Sequence, residues 1–231
     1  MSTRKAKVAR TDATGTPAPL KAQRLPKVSA KIHEVMPLYP ETDPSIYSIP
    51  GVLSSDECQK LRDYLVAQHP LTHVAHAQTK GIAWRDVDRV EFSCPELGAL
   101  LWGAGLGEAL QEAVPLEAGQ QWAGLNSKWR VYRYGEGQGF GPHFDEEDTD
   151  RLTRYKSHYT LLLYLSDVRQ GGETVFYKSR GREVLSVTPE QGLVVVHAQG
   201  HACLLHEGRP VGRGCEKWVL RSDVMVRPEA G

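Results

Sequence analysis

Beyond about residue 126 the chain breaks into short β-prone runs, "KWRVYRY", "HYTLLLYLSD", "ETVFY", "GLVVVHA", "HACLLH" and "KWVLRSDVMV". Between them stand "QGG", "SRG", "PEQG", "QG" and "EGRPVGRG". Runs this short are below the usual helix length, and glycine turns at such close intervals return the chain on itself. The pattern predicts an antiparallel sandwich or barrel.

The sequence before this part has a different period. "IYSIPGVL" reads as a short strand, and in "SSDE" Ser54 stands three residues ahead of Glu57, the capping-box spacing that opens a helix. Cys58, Leu61 and Leu65 then share one helical face. A second helix is expected from Pro95 to about Val114, where Leu97, Leu101 and Leu110 recur at helical intervals and Pro95 suits a first turn. The first 31 residues differ again: eight Lys or Arg against the single acid Asp12, with no apolar period. Such a segment has too little to bury and is expected to be disordered. The division expected is a basic disordered tail over 1–42 and one folded domain over 43–231. Within that domain, helical support is expected over 43–125 and the β-rich core over 126–227.

Composition excludes some classes of function. With 231 residues, 40% of them hydrophobic, one sizeable core is within reach. Lys plus Arg and Asp plus Glu number 28 each. No overall basic field draws the folded domain to nucleic acid, where affinity depends on phosphate neutralisation, although the basic tail keeps that use open. Cys58, Cys94, Cys203 and Cys215 form no C-x-x-C pair and are too sparse for a disulfide scaffold, so a reducing compartment is expected. No apolar run reaches membrane-spanning length, and the N-terminus lacks a secretory apolar segment. Cytoplasm or nucleus is the expected compartment, with organelle import by the basic N-terminus left open.

The stretch "RVYRYGEGQGFGPHFDEED" carries the first chemical signal. At a strand end successive side chains alternate faces, so His143 and Asp145 point one way and Phe144 the other. An imidazole and a carboxylate so placed suit a divalent first-row metal, and one more histidine would complete the two-His, one-carboxylate facial triad. His33, His69, His73 and His76 precede the β-rich part, His158 begins a run and His197 ends one. Of the two that remain, His201 and His206, the second closes "HACLLH" just before a Gly- and Pro-rich turn and is chosen. Taken alone, His206 reads as a structural histidine at a strand end.

In order, "YRYGEGQGFGPHFD", "YTLLLYLSD", "GGETVF", "TPEQGLVVVH", "LLHEGRPV" and "KWVLRSDVM" resemble the pattern of the Fe(II)- and 2-oxoglutarate-dependent dioxygenases, and within them the prolyl 4-hydroxylase group. The resemblance covers roughly residues 45 to 227 and is strongest from Arg130 on. It implies a mainly β fold, a double-stranded β-helix or jelly roll braced by N-terminal helices. It also implies Fe(II) held by His143, Asp145 and His206, with 2-oxoglutarate and O2 as cosubstrates and ascorbate as an optional reductant.

The far carboxylate of 2-oxoglutarate needs a cation. Lys217 and Arg221 share a face of the last run about 13 Å apart. Lys217 aligns better with the family's basic residue and is placed first, while Arg221 could grip a carboxylate with two bonds and stays as the alternative. Tyr134 matches the family's tyrosine ahead of the H-x-D, and Tyr159 could supply a second hydroxyl. Gly171 and Gly172 read as a tight turn. The reaction implied is decarboxylation of 2-oxoglutarate to succinate and CO2 coupled to hydroxylation of a C–H bond.

Three functions follow in order. The first is a hydroxylase of prolyl residues in a protein or peptide. The second keeps the chemistry on a free amino acid, another side chain or an alkylated base, and the third is a non-catalytic metal-binding jelly roll. The segment "HVAHAQTKGIAWRDVDRVEF", with Arg85 and Arg89, resembles the place where relatives gather residues around the substrate. Neither substrate nor oligomeric state is legible in it.

Overall fold

The structure, a computed structural model, describes residues 24–40, 45–178 and 181–228. Ser54 caps α1 (Ser55–Gln68): its hydroxyl accepts the Glu57 N–H at 3.3 Å, and the Glu57 carboxylate accepts the Ser54 N–H at 2.8 Å. Cys58, Leu61 and Leu65 form its buried face. The second helical stretch is α2 (Pro95–Leu101), a π turn over Trp102–Leu106, and α3 (Gly107–Ala113). The continuous helix expected there is interrupted at Gly105, whose φ is 108°. A side chain at that position would put its Cβ 1.9 Å from the Lys31 carbonyl oxygen.

Thirteen strands among the described residues join one antiparallel sheet. In chain order they are β1 (Met36–Tyr39), β2 (Ile46–Ile49), β3 (Thr72–His76), β4 (Arg85–Ser93), β5 (Gln120–Leu125), β6 (Lys128–Tyr134) and β7 (Gly139–His143). Then follow β8 (Lys156–Tyr164), β9 (Thr174–Lys178), β10 (Arg182–Val187), β11 (Val194–Ala198), β12 (Leu205–Gly208) and β13 (Lys217–Pro228). The spatial order is β1-β2-β11-β8-β13-β6-β4-β7-β12-β9-β10, with β3 beside β4 and β5 beside β13. The sheet rolls into a nearly closed barrel of jelly-roll type, its two ends meeting where β1 touches β10.

Period-2 alternation divides the core in two. Trp129 and Val131 of β6, Leu161 and Leu163 of β8, and Leu220 of β13 face outward, under the leucines of the helices. Tyr132 and Tyr134, Leu162 and Tyr164, and Val219 face into the roll. No helix among the described residues is long and apolar enough to cross a membrane.

Three expectations are corrected. The tail expected to be disordered over 1–42 is held against the domain in its second part. The Ser29 N–H donates to Glu57 at 2.7 Å, Lys31 pairs with the same carboxylate at 3.2 Å, and β1 pairs with β2. Leu25, Val28 and Val35, spaced among the basic residues, pack on the outer core and supply the anchor. The rest of that expectation falls on residues 1–23, outside the described residues.

Second, 43–125 is not only helical support. It contributes β3, β4 and β5, and β4 lies between β6 and β7. Its sequence "RDVDRVEFS" carries charge on both faces, which hides a strand, but cross-strand partners balance it: Arg133 for Asp88, Arg130 for Glu91. Third, "HACLLH" is strand only from Leu205. A 3-10 turn at Gly200–Ala202 precedes it.

Candidate metal and cosubstrate site

The roll brings the two ends of the motif together. Strand β7 ends at His143, β12 pairs with it so that His206 lies directly opposite, and Asp145 follows two residues on. The Asp145 carboxylate stands 3.8 Å from His143 Nε2 and 3.6 Å from His206 Nε2. One ligand atom from each of the three lies within 4.8 Å of the others.

Backbone carbonyls fix both imidazoles. His143 Nδ1 lies 2.9 Å from the Gly141 oxygen and His206 Nδ1 2.9 Å from the Leu204 oxygen, so each Nδ1–H is donated and each Nε2 faces the shared centre, where a metal would displace the proton that His206 shares with Asp145. Thr160 Oγ1 donates to Asp145 Oδ2 at 2.7 Å, and Gln199 Nε2 donates to that hydroxyl at 2.9 Å. Arg221 Nη2 approaches Asp145 Oδ1 at 3.0 Å.

Electrostatics suit metal ligation. Burial, with Arg221 and the histidines offsetting it, leaves the Asp145 carboxyl well below its usual range. Burial and then His206 push His143 down to about 3, which keeps its lone pair free. Burial opposes charge on His206 as well, but hydrogen bonds and charge from Asp145 and Cys203 override it and push it up to about 9. Two neutralisable imidazoles and one carboxylate, already oriented by their own partners, fit a first-row divalent ion. A second cluster, His197, Cys203 and His206, shares one histidine but is buried throughout. Only the first set opens on the cleft, which His143, Asp145 and His206 line together with Tyr134, Thr174 and Lys217.

At the other end of that cleft Lys217 is 4% exposed and has no carboxylate within ion-pair distance among the described residues. Its Nζ donates to the Gly172 carbonyl at 2.7 Å and lies 3.5 Å from Thr174 Oγ1. Tyr164 donates to the same hydroxyl at 2.7 Å. The Tyr134 and Tyr164 rings stand 5.5 and 5.4 Å from Nζ. Burial pushes the ammonium down to about 7. A desolvated cation among hydroxyls, walled by aromatics, is built to receive a carboxylate.

The site residues read from sequence are thus distributed unevenly. His143, Asp145, His206, Tyr134, Lys217 and Arg221 line one cleft. Arg221, the alternative anchor, sits instead at the metal end, against Asp145. Tyr159 is a correction: it lies on the outer face of β8, in the core with Tyr47 and Trp122 and away from the cleft. Alternation decides this, since Thr160, Leu162 and Tyr164 take the inner face, and Tyr164 is the tyrosine beside Lys217.

Sequence reasoning also passed over Thr160, Thr174 and His197. In the sequence His197 reads only as the end of a run. In fact it is 1% exposed, with Nε2 3.5 Å from Asp145 Oδ2. A threonine amid leucines at Thr160 was the available signal for which face of β8 turns inward. Gly171 and Gly172 form the expected turn, with φ of 68° and 73°. A Cβ at Gly171 would come within 2.3 Å of the Pro210 oxygen.

Comparison with known proteins agrees with this geometry. Residues 129–222 match the model of the 2OG-Fe(II) oxygenase superfamily. A probable prolyl 4-hydroxylase 11 of Arabidopsis thaliana is 37% identical over 83 residues, 36% of this chain and 26% of that protein. Prolyl 4-hydroxylase 2 of the same plant is 35% identical over 114 residues, 38% of each chain. The chain thus spans well under half the length of these curated relatives.

Among solved structures, a viral collagen prolyl hydroxylase from Paramecium Bursaria Chlorella virus-1, in complex with 2OG, aligns with a TM-score of 0.55 at 21% identity. That alignment covers 78% of this chain and 96% of the other. A Trichoplax adhaerens prolyl hydroxylase bound to a hypoxia inducible factor peptide fragment aligns at 0.57 and 16% identity, covering 80% and 84%. At such identities the likeness is one of fold. Over residues 129–222 the chain is thus similar to the 2OG-Fe(II) oxygenase superfamily and to prolyl 4-hydroxylases, and its rolled sheet has the fold of these solved structures.

Proposed function

We propose that this chain is a 2-oxoglutarate-dependent dioxygenase that hydroxylates a prolyl residue of a protein or peptide. The observation that carries the reading is one cleft with His143, Asp145 and His206 at one end and the unpaired, buried Lys217 at the other. Bound there, Fe(II) with 2-oxoglutarate and O2 supplies the oxidising chemistry, giving succinate and CO2, with ascorbate as an auxiliary reductant.

The chain's own groups hold and aim. His143, Asp145 and His206 would hold the metal. Lys217, with the hydroxyls of Thr174 and Tyr164 around it, would receive the far carboxylate of 2-oxoglutarate. Tyr134 walls the cleft against water, and its own burial, acting first, pushes its phenol upward so that it stays protonated as a donor. Likeness to prolyl 4-hydroxylases, and in fold to a prolyl hydroxylase solved in complex with a peptide fragment, supports a polypeptide substrate.

Succinate formation by anaerobically Fe(II)-loaded protein, with a panel of proline-containing peptides, tests this. Peptide-stimulated turnover that disappears in His143→Ala establishes the enzyme. Basal turnover that no peptide stimulates keeps the oxygenase and removes the prolyl substrate.

A second reading, a structural metal site, draws on the fully buried His197, Cys203 and His206 cluster. It requires chelation to lower the melting temperature sharply. In the enzyme reading chelation stops turnover and leaves the fold.

A further inference from the structure

The open side of the cleft carries charges that the chemistry above does not use. A cavity of about 460 Å³ adjoins the metal end, walled by Arg85, Arg89, Arg130 and Arg221 with Tyr132. The wall spans three adjacent strands. Arg221 of β13 pairs directly opposite Arg130 of β6, and Tyr132 of β6 opposite Arg89 of β4. Like charges placed opposite each other destabilise a sheet, and a guanidinium cannot shed its proton.

Acids on the wall answer three of the four. Glu91 accepts from Arg130 at 2.8 Å and lies 3.6 Å from Arg89, while Arg221 reaches Asp145 at 3.0 Å and Asp223 at 3.9 Å. Arg85 has no carboxylate within ion-pair distance among the described residues, and its Nε is buried without a hydrogen-bond partner. The Arg221 Nε is in the same condition.

Arg85 is also close to the chemistry. Its guanidinium carbon stands 3.9 Å from the centre of the Phe140 ring, and the His143 ring stacks on Phe140 at 3.7 Å. Two groups so near one ring centre must take opposite faces, so one aromatic ring separates Arg85 from His143. The other rim of the cavity is acidic, with Glu146, Glu147 and Asp148, the last already paired with Lys128. The cavity is therefore polarised, and a bound anion belongs on the arginine side.

We infer that Arg85, with Arg221 beside it, binds a carboxylate of the substrate, so that the chain acts on an acidic peptide whose Asp, Glu or C-terminal carboxylate lies within a residue or two of the hydroxylated proline. The inference rests on the prolyl hydroxylase reading and names its substrate class. A carboxylate bound bidentately through Arg85 Nε satisfies that orphaned donor and offsets the opposed guanidiniums in one step. Burial, with Arg89 and Arg221 adding to it, lowers Arg85 from the usual guanidinium range, a cost that an anion would remove.

The test is calorimetric binding to the full chain loaded anaerobically with Fe(II) and 2-oxoglutarate. The probes are peptide pairs that differ only by Glu or Gln beside proline, and matched pairs without proline. The Glu member is expected to bind at least about 10-fold more tightly, the usual worth of a charge-assisted contact. Arg85→Gln should level each pair and Arg85→Lys should restore part of the difference. Arg85 has no carboxylate partner among the described residues, so both variants should keep the wild-type melting temperature. Pairs that bind alike, no binding by any member, or a preference that survives Arg85→Gln would overturn the inference. An acidic preference with no succinate from any peptide would keep the arginine site and sink the prolyl reading. Turnover on proline peptides without acidic preference would do the reverse.

Discussion

Strand β13 presents two chemistries to its two sides. Leu220 looks out into a dry layer of leucine, valine and tryptophan under the helices, while its neighbours Lys217, Val219 and Arg221 look into the roll toward a carboxylate, hydroxyls and imidazoles. The outer face is repetitive, and its members exchange for one another at modest cost. The inner face holds ions that water would otherwise solvate, kept in place by the packing behind them. One strand therefore carries stability on one parity and function on the other, and variants of the two parities should fail in different ways.

The largest effect is expected from His206→Ala. Turnover should fall below detection while the unfolding midpoint stays close to wild type, since Asp145 keeps Arg221 and Thr160 as partners. A collapse of the fold instead would erase the distinction between faces. Leu220→Ala should show the opposite profile. Fully buried, it is expected to cost about 2–5 kcal/mol of unfolding free energy by denaturant titration. The protein that remains folded should turn over at the wild-type rate.

Lys217→Ala should raise the KM for 2-oxoglutarate by on the order of 10–100-fold, the worth of a charged hydrogen bond, and leave peptide binding alone. The same group predicts a pH dependence. Free Lys217 is pushed down to about 7, and the carboxylate of the proposed cosubstrate needs it protonated. Cosubstrate affinity should therefore be full below about pH 7 and fall roughly tenfold per unit above it. Lys217→Arg should flatten that profile if it binds at all. Stability runs the other way: the unfolded chain holds the proton that the folded chain loses, so this residue's contribution improves as pH rises from 7 toward 10.

The smallest change is Ser54→Ala, about 1 kcal/mol from the lost cap of α1, with kinetic constants unmoved. Burial works against charge on Glu57, yet the Ser54 and Ser29 N–H groups hold it down to about 2. Its share of stability is therefore present above pH 4.5 and lost as pH falls toward 2.

Legibility in the sequence follows the same division. Strands β6, β8 and β13 are readable because their outer parity is mainly apolar, and α1 because its cap and leucines agree. Strand β4 was not, since its charges are neutralised only by partners on β6 that are distant in sequence. His143 and Asp145 were readable by spacing, and His206 by its turn and by likeness. His197 and Tyr164 were missed because a single residue's parity cannot be read from a run of apolar neighbours. Tyr159 shows the cost of guessing it. Lys217 and Arg221 share a face in sequence, as they do in the fold, but which of them stands by the candidate metal ligands shows only in the folded cleft, where Arg221 meets Asp145 and Lys217 meets Gly172 and Thr174.

The position of β4 bears on how this protein can be made. Residues 85–93 come off the ribosome before β6 and β7, yet in the finished sheet they fill the gap between those two strands. A fragment starting at residue 126 would hold every proposed metal ligand and cosubstrate contact, and would still expose two unpaired edges where β4 belongs. The half that carries the proposed site is thus expected not to fold on its own. During synthesis β4 can pair at once with β3, but its other ladder stays open until β6 and β7 arrive, so nascent chains share an aggregation-prone edge that the complete chain conceals.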